Sequence, residues 1–319
     1  MPVSERSSLS WLGRTWDRIW FGTHDALPLD LLRISMGALL AFFFIALYQS
    51  WEPYYSPRGI PSLNEPYGLT SLPWSWNLFI LTEGIIPMRA FWWMALLASV
   101  SLTVGWNTRS ALLALYAIQT SMANSNWTVT TGEDYVFNLF YLYAFFGQLD
   151  TYLSLDRWLK ERKGGQMPPR TPVAIWPARL MQVHVALIYA FSVVKKLHSG
   201  VGWWNGEILY WVLLGNMWSR WPWPELLYGG LLSKLATYGT LAFEILFPIF
   251  IWFRWARPWL LVSGVFFQLG IAFFIQHATV FTLSMICLLW VYVPAETIRR
   301  WQRKMKGAPN LFRLARKAA

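Results

Sequence analysis

The sequence predicts an all-α protein, a polytopic transmembrane helix bundle of about eight spans with both termini in the cytoplasm. Three observations predict it. The 319-residue chain is 55% hydrophobic and only 13% charged, about half the charged fraction of an ordinary soluble domain. Its apolar residues gather into eight runs separated by short polar segments. It carries 23 Trp, a residue favoured where one ring edge is dry and the other wet, as at a membrane interface.

The runs fall at about 27–49, 88–105, 110–126, 134–150, 178–198, 229–253, 256–276 and 277–294. A spanning helix needs roughly 20 mostly apolar residues. The second, third and fourth runs are short for this, and the seventh and eighth meet in a tight turn at Gln276 and His277. The first run has no small-residue cleavage site, so it reads as a retained helix rather than a cleaved signal. The chain divides into a cytoplasmic N-terminal segment (1–26), a transmembrane domain (27–294) and a basic cytoplasmic tail (295–319).

Orientation comes from Lys and Arg, which concentrate on the cytoplasmic side. With the N-terminus inside, the inner segments hold 20 of the 27 basic residues, 8 of them in the tail. The outer segments hold Arg58, Arg89, Lys195, Lys196, Arg220 and Lys234, and Arg33 lies inside the first run. This asymmetry places the protein as a multi-pass chain of the cell's inner (plasma) membrane. It also explains the net charge of +11 without nucleic acid: the basic tail suits an anionic lipid surface. Two outer segments, 50–87 and 199–228, are long and aromatic-rich. They suit interfacial or re-entrant pieces covering the outer mouth, or headgroup anchors.

Chemistry has few residues to draw on. The single Cys287 forbids an internal disulfide, and no CxxC or Cys/His zinc pattern is present. Phosphate-binding, dinucleotide and Gly-x-Ser-x-Gly motifs are also missing. His184 and His277 lack the spacing and carboxylate partners of a metal or haem site, so no metal is expected. Ionisable groups within spans are costly and usually face a partner or cavity. On the fifth run, Lys196 shares a helical face with Ser192 and Tyr189, whereas Lys195 shares one with His184 and Phe191. The two lysines either snorkel to the outer headgroups or serve a sheltered site. Glu244, just before Pro248, needs a cation or donor, with Lys195, Lys196 and Arg33 as candidates. Asp30 and Arg33 are expected to pair with each other or a neighbour. Glu133 and Asp134 suit the helix N-terminus that they open, and Gln268 lies within the seventh run.

These residues carry a resemblance. The stretch Leu187 to Trp204, LIYAFSVVKKLHSGVGWW, followed by Asn205-Gly206, resembles the Lys-Lys-Leu segment of the vitamin K-dependent gamma-carboxylase. It resembles equally that enzyme's bacterial relatives, the horizontally transferred transmembrane domain (HTTM) proteins. Thr131-Gly132-Glu133-Asp134 opening the fourth span, Ser154-Leu155-Asp156 closing it, and Phe243-Glu244 with Pro248, Arg254 and Arg257-Pro258 extend the likeness from Asp30 to about Pro294. The resemblance implies a reduced quinone, menaquinone or vitamin K-like, deprotonated by a lysine base that matches Lys196. It further implies oxygen-dependent quinol oxidation or epoxidation, with or without carboxylation of a protein substrate. Two departures stand out: no segment here can form the carboxylase's large lumenal domain, and Gln268 stands where many relatives have a histidine. Asp134 lies near a histidine position of the carboxylase.

The leading expectation is a membrane enzyme with Lys196, Lys195 and Glu244 as catalytic residues. Asp134, Tyr189, His184, Gln268, Trp203 and Trp204 would hold the quinone. The alternative is a non-catalytic membrane subunit that binds a quinone or lipid within a larger complex. A small transporter is third, since no internal repeat is visible.

Overall fold

Each of the eight apolar runs is a helix in the computed structural model, which describes residues 3–56, 59, 76–82, 86–164, 172–215, 217–222 and 230–307. An N-terminal helix α1 (Val3–Trp20) precedes α2 (Leu27–Ala46) and the short α3 (Trp51–Tyr55). Then come α4 (Met88–Val104), α5 (Thr108–Ser125), α6 (Gly132–Phe146) and α7 (Leu155–Arg162). The long α8 (Trp176–His198) is followed by the short α9 (Val201–Trp204) and α10 (Ile208–Leu214). The chain ends with α11 (Gly230–Phe250), α12 (Arg257–Phe274), α13 (Thr279–Leu288), a 3-10 turn Leu289–Tyr292, and α14 (Ala295–Gly307). A two-residue antiparallel ladder, Thr23–His24 with Val173–Ala174, clasps the start of α2 to the start of α8.

Among the described residues, three helices are long and apolar enough to cross a membrane: α2, α8 and α12. A fourth candidate joins Thr279–Tyr292 to Ala295–Lys304 through a 98° bend, and α4 is apolar but shorter. The outward faces are greasy. Trp259, Leu231 and Phe266 are each more than 70% exposed, a surface that suits lipid rather than water.

In the core α2 packs against α4 and α13, and α13 in turn packs against α6. One buried arginine fixes this arrangement. Arg33, fully buried in the second turn of α2, donates to the carbonyls of Thr103 (2.7 Å) and Leu102 at the end of α4. It also donates to Leu149 (2.7 Å) and Leu153 in the loop after α6. Three residues earlier, Asp30 accepts from the backbone N–H groups of Thr151 (3.2 Å), Tyr152 (2.6 Å) and Leu153 (2.6 Å). The two opposite charges are thus neighbours whose hydrogen bonds all go to backbone, which satisfies a loop that would otherwise bury unpaired polar groups.

Gly105, the left-handed cap of α4 at φ 74°, completes the clamp. A Cβ there would sit 2.7 Å from the Ser154 Cβ and 2.9 Å from the Arg33 guanidinium carbon. Gly105→Ala therefore meets both the positive-φ cost, about 1–2 kcal/mol, and a clash with groups that cannot retreat. We expect it to lower the thermal unfolding midpoint of detergent-purified protein by several degrees. Ala at exposed, uncrowded Gly239, where nothing lies within 4 Å of the added carbon, should have little effect.

Some helix assignments depart from expectation. The N-terminal segment and the tail both contain amphipathic helices, α1 and α14. Ser154-Leu155-Asp156 does not close the fourth span: Ser154 accepts from the Arg157 N–H (3.3 Å) and so opens the polar α7. The tight turn at Gln276 is present, and Arg220 latches it by donating to the carbonyls of Ala272 (3.1 Å), Ile275 (3.2 Å) and Gln276 (3.1 Å). The part of the outer segments at 60–75 and Trp223 lie outside the described residues.

Candidate functional site

The site grows from the packing of α8 against α11. On α8, Tyr189, Ser192 and Lys196 recur at three- and four-residue spacing and form one face. On α11 the buried stripe is Ser233, Thr237, Leu241, Glu244 and Phe247, the same spacing on the opposing helix. Where the two stripes meet, the Lys196 Nζ donates to the Glu244 Oε1. The Ser192 Oγ donates to the same oxygen at 3.3 Å. The Lys196 ammonium also lies 5.0 Å from the centre of the Trp203 ring, where the negative face of the indole favours a cation. Pro248, four residues after Glu244, has no N–H, so it releases the Glu244 carbonyl from the helical ladder beside the charged pair.

Below the ion pair the site turns aromatic. Tyr189, buried, packs on Phe247 (4.6 Å between ring centres) and Phe243 (5.5 Å). Its hydroxyl accepts from the Gln268 Nε2 of α12 at 2.8 Å. Two buried acceptor atoms in this cluster have no partner among the described residues: the Glu244 Oε2 and the Gln268 Oε1. Each leaves a polar group in an apolar surround, which is costly unless something donates to it.

A groove of about 590 Å³ runs along the lipid-facing side of the same helices, between α10, α11 and α12. Leu209, Leu213, Leu232, Phe267 and Ile271 wall it with apolar surface, and Ser233 and Thr240 add two hydroxyls. Neither Lys196 nor Glu244 lines it. Phe267, stacked 4.5 Å from Phe243, separates the groove from the Tyr189 cluster.

The structure thus assembles Lys196, Glu244, Tyr189, Gln268 and Trp203, and separates the other residues proposed from sequence. Lys195 points outward and is exposed, and of the three cations considered for Glu244 it is Lys196 that pairs. Trp204 is 62% exposed, its indole N–H turned back to the Leu197 carbonyl at 3.0 Å, so it does not cover the site. His184 sits three turns below Lys196 and shares a 3.2 Å hydrogen bond with the Tyr143 hydroxyl of α6.

Asp134 belongs to a second cluster. It closes a capping box with Thr131, as the acidic start of the helix predicts, and accepts from the Gln119 Nε2 of α5 at 2.6 Å. Gln119 went unnoticed in the sequence because a lone amide in a short apolar run has no periodic partner to announce it. Ser192 and Trp203 are legible only through helical spacing and the Lys-Lys-Leu segment. Among the described residues no three of His, Cys, Asp and Glu gather as metal ligands.

No protein-family model, no curated protein and no solved structure matches this chain.

Proposed function

We propose that this is an eight-span protein of the cell's inner (plasma) membrane, with both termini in the cytoplasm, that binds a reduced quinone at the α8–α11–α12 cluster and promotes its oxidation by oxygen. The eight apolar helices support the topology. So does the gathering of Arg14, Arg18, Arg157, Arg179, Arg257 and the α14 basic residues at one end of them, the pattern of a cytoplasmic face. The amphipathic α14, turned 98° from the preceding helix, suits a helix lying in the interface plane.

The observation that carries the quinone reading is the pair of orphan acceptors. A quinol presents two hydroxyl donors, and the Glu244 Oε2 and Gln268 Oε1 are two buried acceptors against one tyrosine. A prenyl tail would have to pass Phe267 to reach the apolar groove beyond it. When bound, such a quinol supplies two reducing equivalents. The chain's own residues manage the proton: the free Glu244 Oε2 is placed to accept it. Lys196 becomes a base only once its ammonium has handed a proton to Glu244, since its amine is already engaged. Gln268 orients through hydrogen bonds and cannot relay protons. The Lys-Lys-Leu resemblance to the gamma-carboxylase points the same way.

That engaged amine favours one second reading, a non-catalytic quinone- or lipid-binding subunit in which Lys196 and Glu244 simply latch two helices. Organic extraction of purified protein followed by mass spectrometry, with oxygen uptake on a reduced menaquinone, separates the two. We expect a co-purifying quinone, and uptake reduced at least ~100-fold in Lys196→Met and Glu244→Gln, as for loss of a proton-transfer group. A bound quinone with uptake absent in wild type assigns the subunit role. Purified protein free of quinone, and unable to take it up, overturns both.

A further inference from the structure

At the opposite end of the bundle a second cavity, of about 310 Å³, lies between the start of α2, the start of α8, the start of α12 and the turn leading into α14. Its walls hold His24, Arg179 and Arg257 together. Arg179 and Arg257 repel one another across it, and Arg179 also repels a charged His24. Burial adds to that repulsion, and His24 is held below the ordinary histidine range. Two acids line the cavity as well, Asp25, which pairs with Arg299, and Glu296, exposed in the first turn of α14; the hydrogen bonds of Arg179 and Arg257 go instead to Gln182, Ile251 and Trp252.

Two nitrogen atoms are left without a partner among the described residues. Arg179 spends one nitrogen on the Gln182 Oε1 (2.8 Å), but its Nε is buried without a partner. The His24 Nδ1 is likewise buried and unpartnered. Two guanidiniums that repel one another, one of them with an unspent buried N–H, suit an anion placed between them.

The cavity adjoins an apolar groove of about 580 Å³, the two sharing Arg257, Val293 and Pro294 as lining. Leu261, Val265, Phe266 and Leu289 line the groove, and Trp301 of α14 flanks it. Arg254 stands at its mouth. The arrangement is an acyl-sized slot ending at a cluster of guanidiniums, beneath an amphipathic helix.

We propose that this is a binding site for one anionic glycerophospholipid, its phosphate held by Arg179 and Arg257 and one acyl chain lying in the groove. The lipid would complete the joint between α8, α12 and α14 and so fix the bend that sets α14 across the bundle end. Charge complementarity together with the contiguous apolar slot selects a phospholipid over a free anion.

Native mass spectrometry of delipidated protein titrated with phosphatidylglycerol, phosphatidylcholine or inorganic phosphate tests this. We expect phosphatidylglycerol to be retained in preference to phosphatidylcholine. Arg179→Gln should weaken it about tenfold, the loss of one charge-assisted contact. Val262→Trp, which fills the groove from its exposed wall without touching the core, should weaken the lipid while leaving the fold intact. Equal retention of both lipids, or wild-type affinity in both variants, overturns the proposal. So does inorganic phosphate that binds as tightly as phosphatidylglycerol, which would leave a bare anion site.

Discussion

An Arg33→Met chain is expected to lose about 3–5 kcal/mol of stability, the penalty for breaking a buried charged network. In most preparations that amounts to a failure to yield monodisperse protein. Met fills much of the volume, so packing is not the cause. The cause is that three carbonyls, from Thr103, Leu149 and Leu153, lose their donor together, while that of Leu102 keeps only the Gly105 N–H at 3.3 Å. Each buried acceptor left unpaired costs about 1–3 kcal/mol. Asp30, still holding three backbone N–H groups, would become a buried carboxylate with its nearest cation gone. Arg33→Lys should recover only part of the loss, because an ammonium cannot reproduce the fork that reaches two segments at once. The measurement is thermal unfolding in detergent monitored by size-exclusion recovery. A midpoint for Arg33→Met within about 2 °C of wild type would show that the clamp contributes little.

The clamp also shows where sequence reading stops. Long apolar runs announce helices, so all eight helices were legible, with boundaries such as 178–198 against Trp176–His198. The partners of Asp30 and Arg33 were not: they are backbone groups about 70 and 120 residues away, and a carbonyl leaves no mark on sequence. The helices α1 and α14 escaped for a different reason. Scanning for apolar length overlooks amphipathic segments, whose signal is a 3.6-residue period in a polar stretch. At the site, helical spacing on α8 correctly joined Lys196 to Ser192 and Tyr189 and set Lys195 apart. It could not choose the cation for Glu244, because the rotation of α11 against α8 is set by tertiary packing, which leaves no mark on the spacing within either helix. Trp203 and Trp204 are neighbours in sequence, yet a short helix turns one over the lysine and the other outward. Adjacent residues on a helix point about 100° apart, so a segment match cannot assign both to one role.

The Lys196–Glu244 pair admits a test that separates holding helices together from handling protons. Lys196→Met alone leaves Glu244, with a side chain only 6% exposed, next to an apolar chain; Glu244→Leu alone leaves an ammonium that is 21% exposed and can turn toward the headgroups. Lys196→Met should therefore be the costlier single change, about 2–4 kcal/mol, somewhat below the range for fully buried pairs because Lys196 reaches the surface. Glu244→Leu should cost about half that. The double variant replaces both charges with apolar side chains of similar size. It should come back close to wild-type stability, since an apolar pair carries no desolvation penalty. The coupling energy from the cycle should then be at least ~1.5 kcal/mol in favour of the double variant. Oxygen uptake with a reduced quinone must not follow the same course: if the pair moves a proton, the restored double variant stays as inactive as either single one. Recovery of uptake together with stability would reduce Lys196 and Glu244 to a latch between α8 and α11. Additive stability losses, with no recovery, would instead deny the pair even that role, since the two side chains would be acting apart.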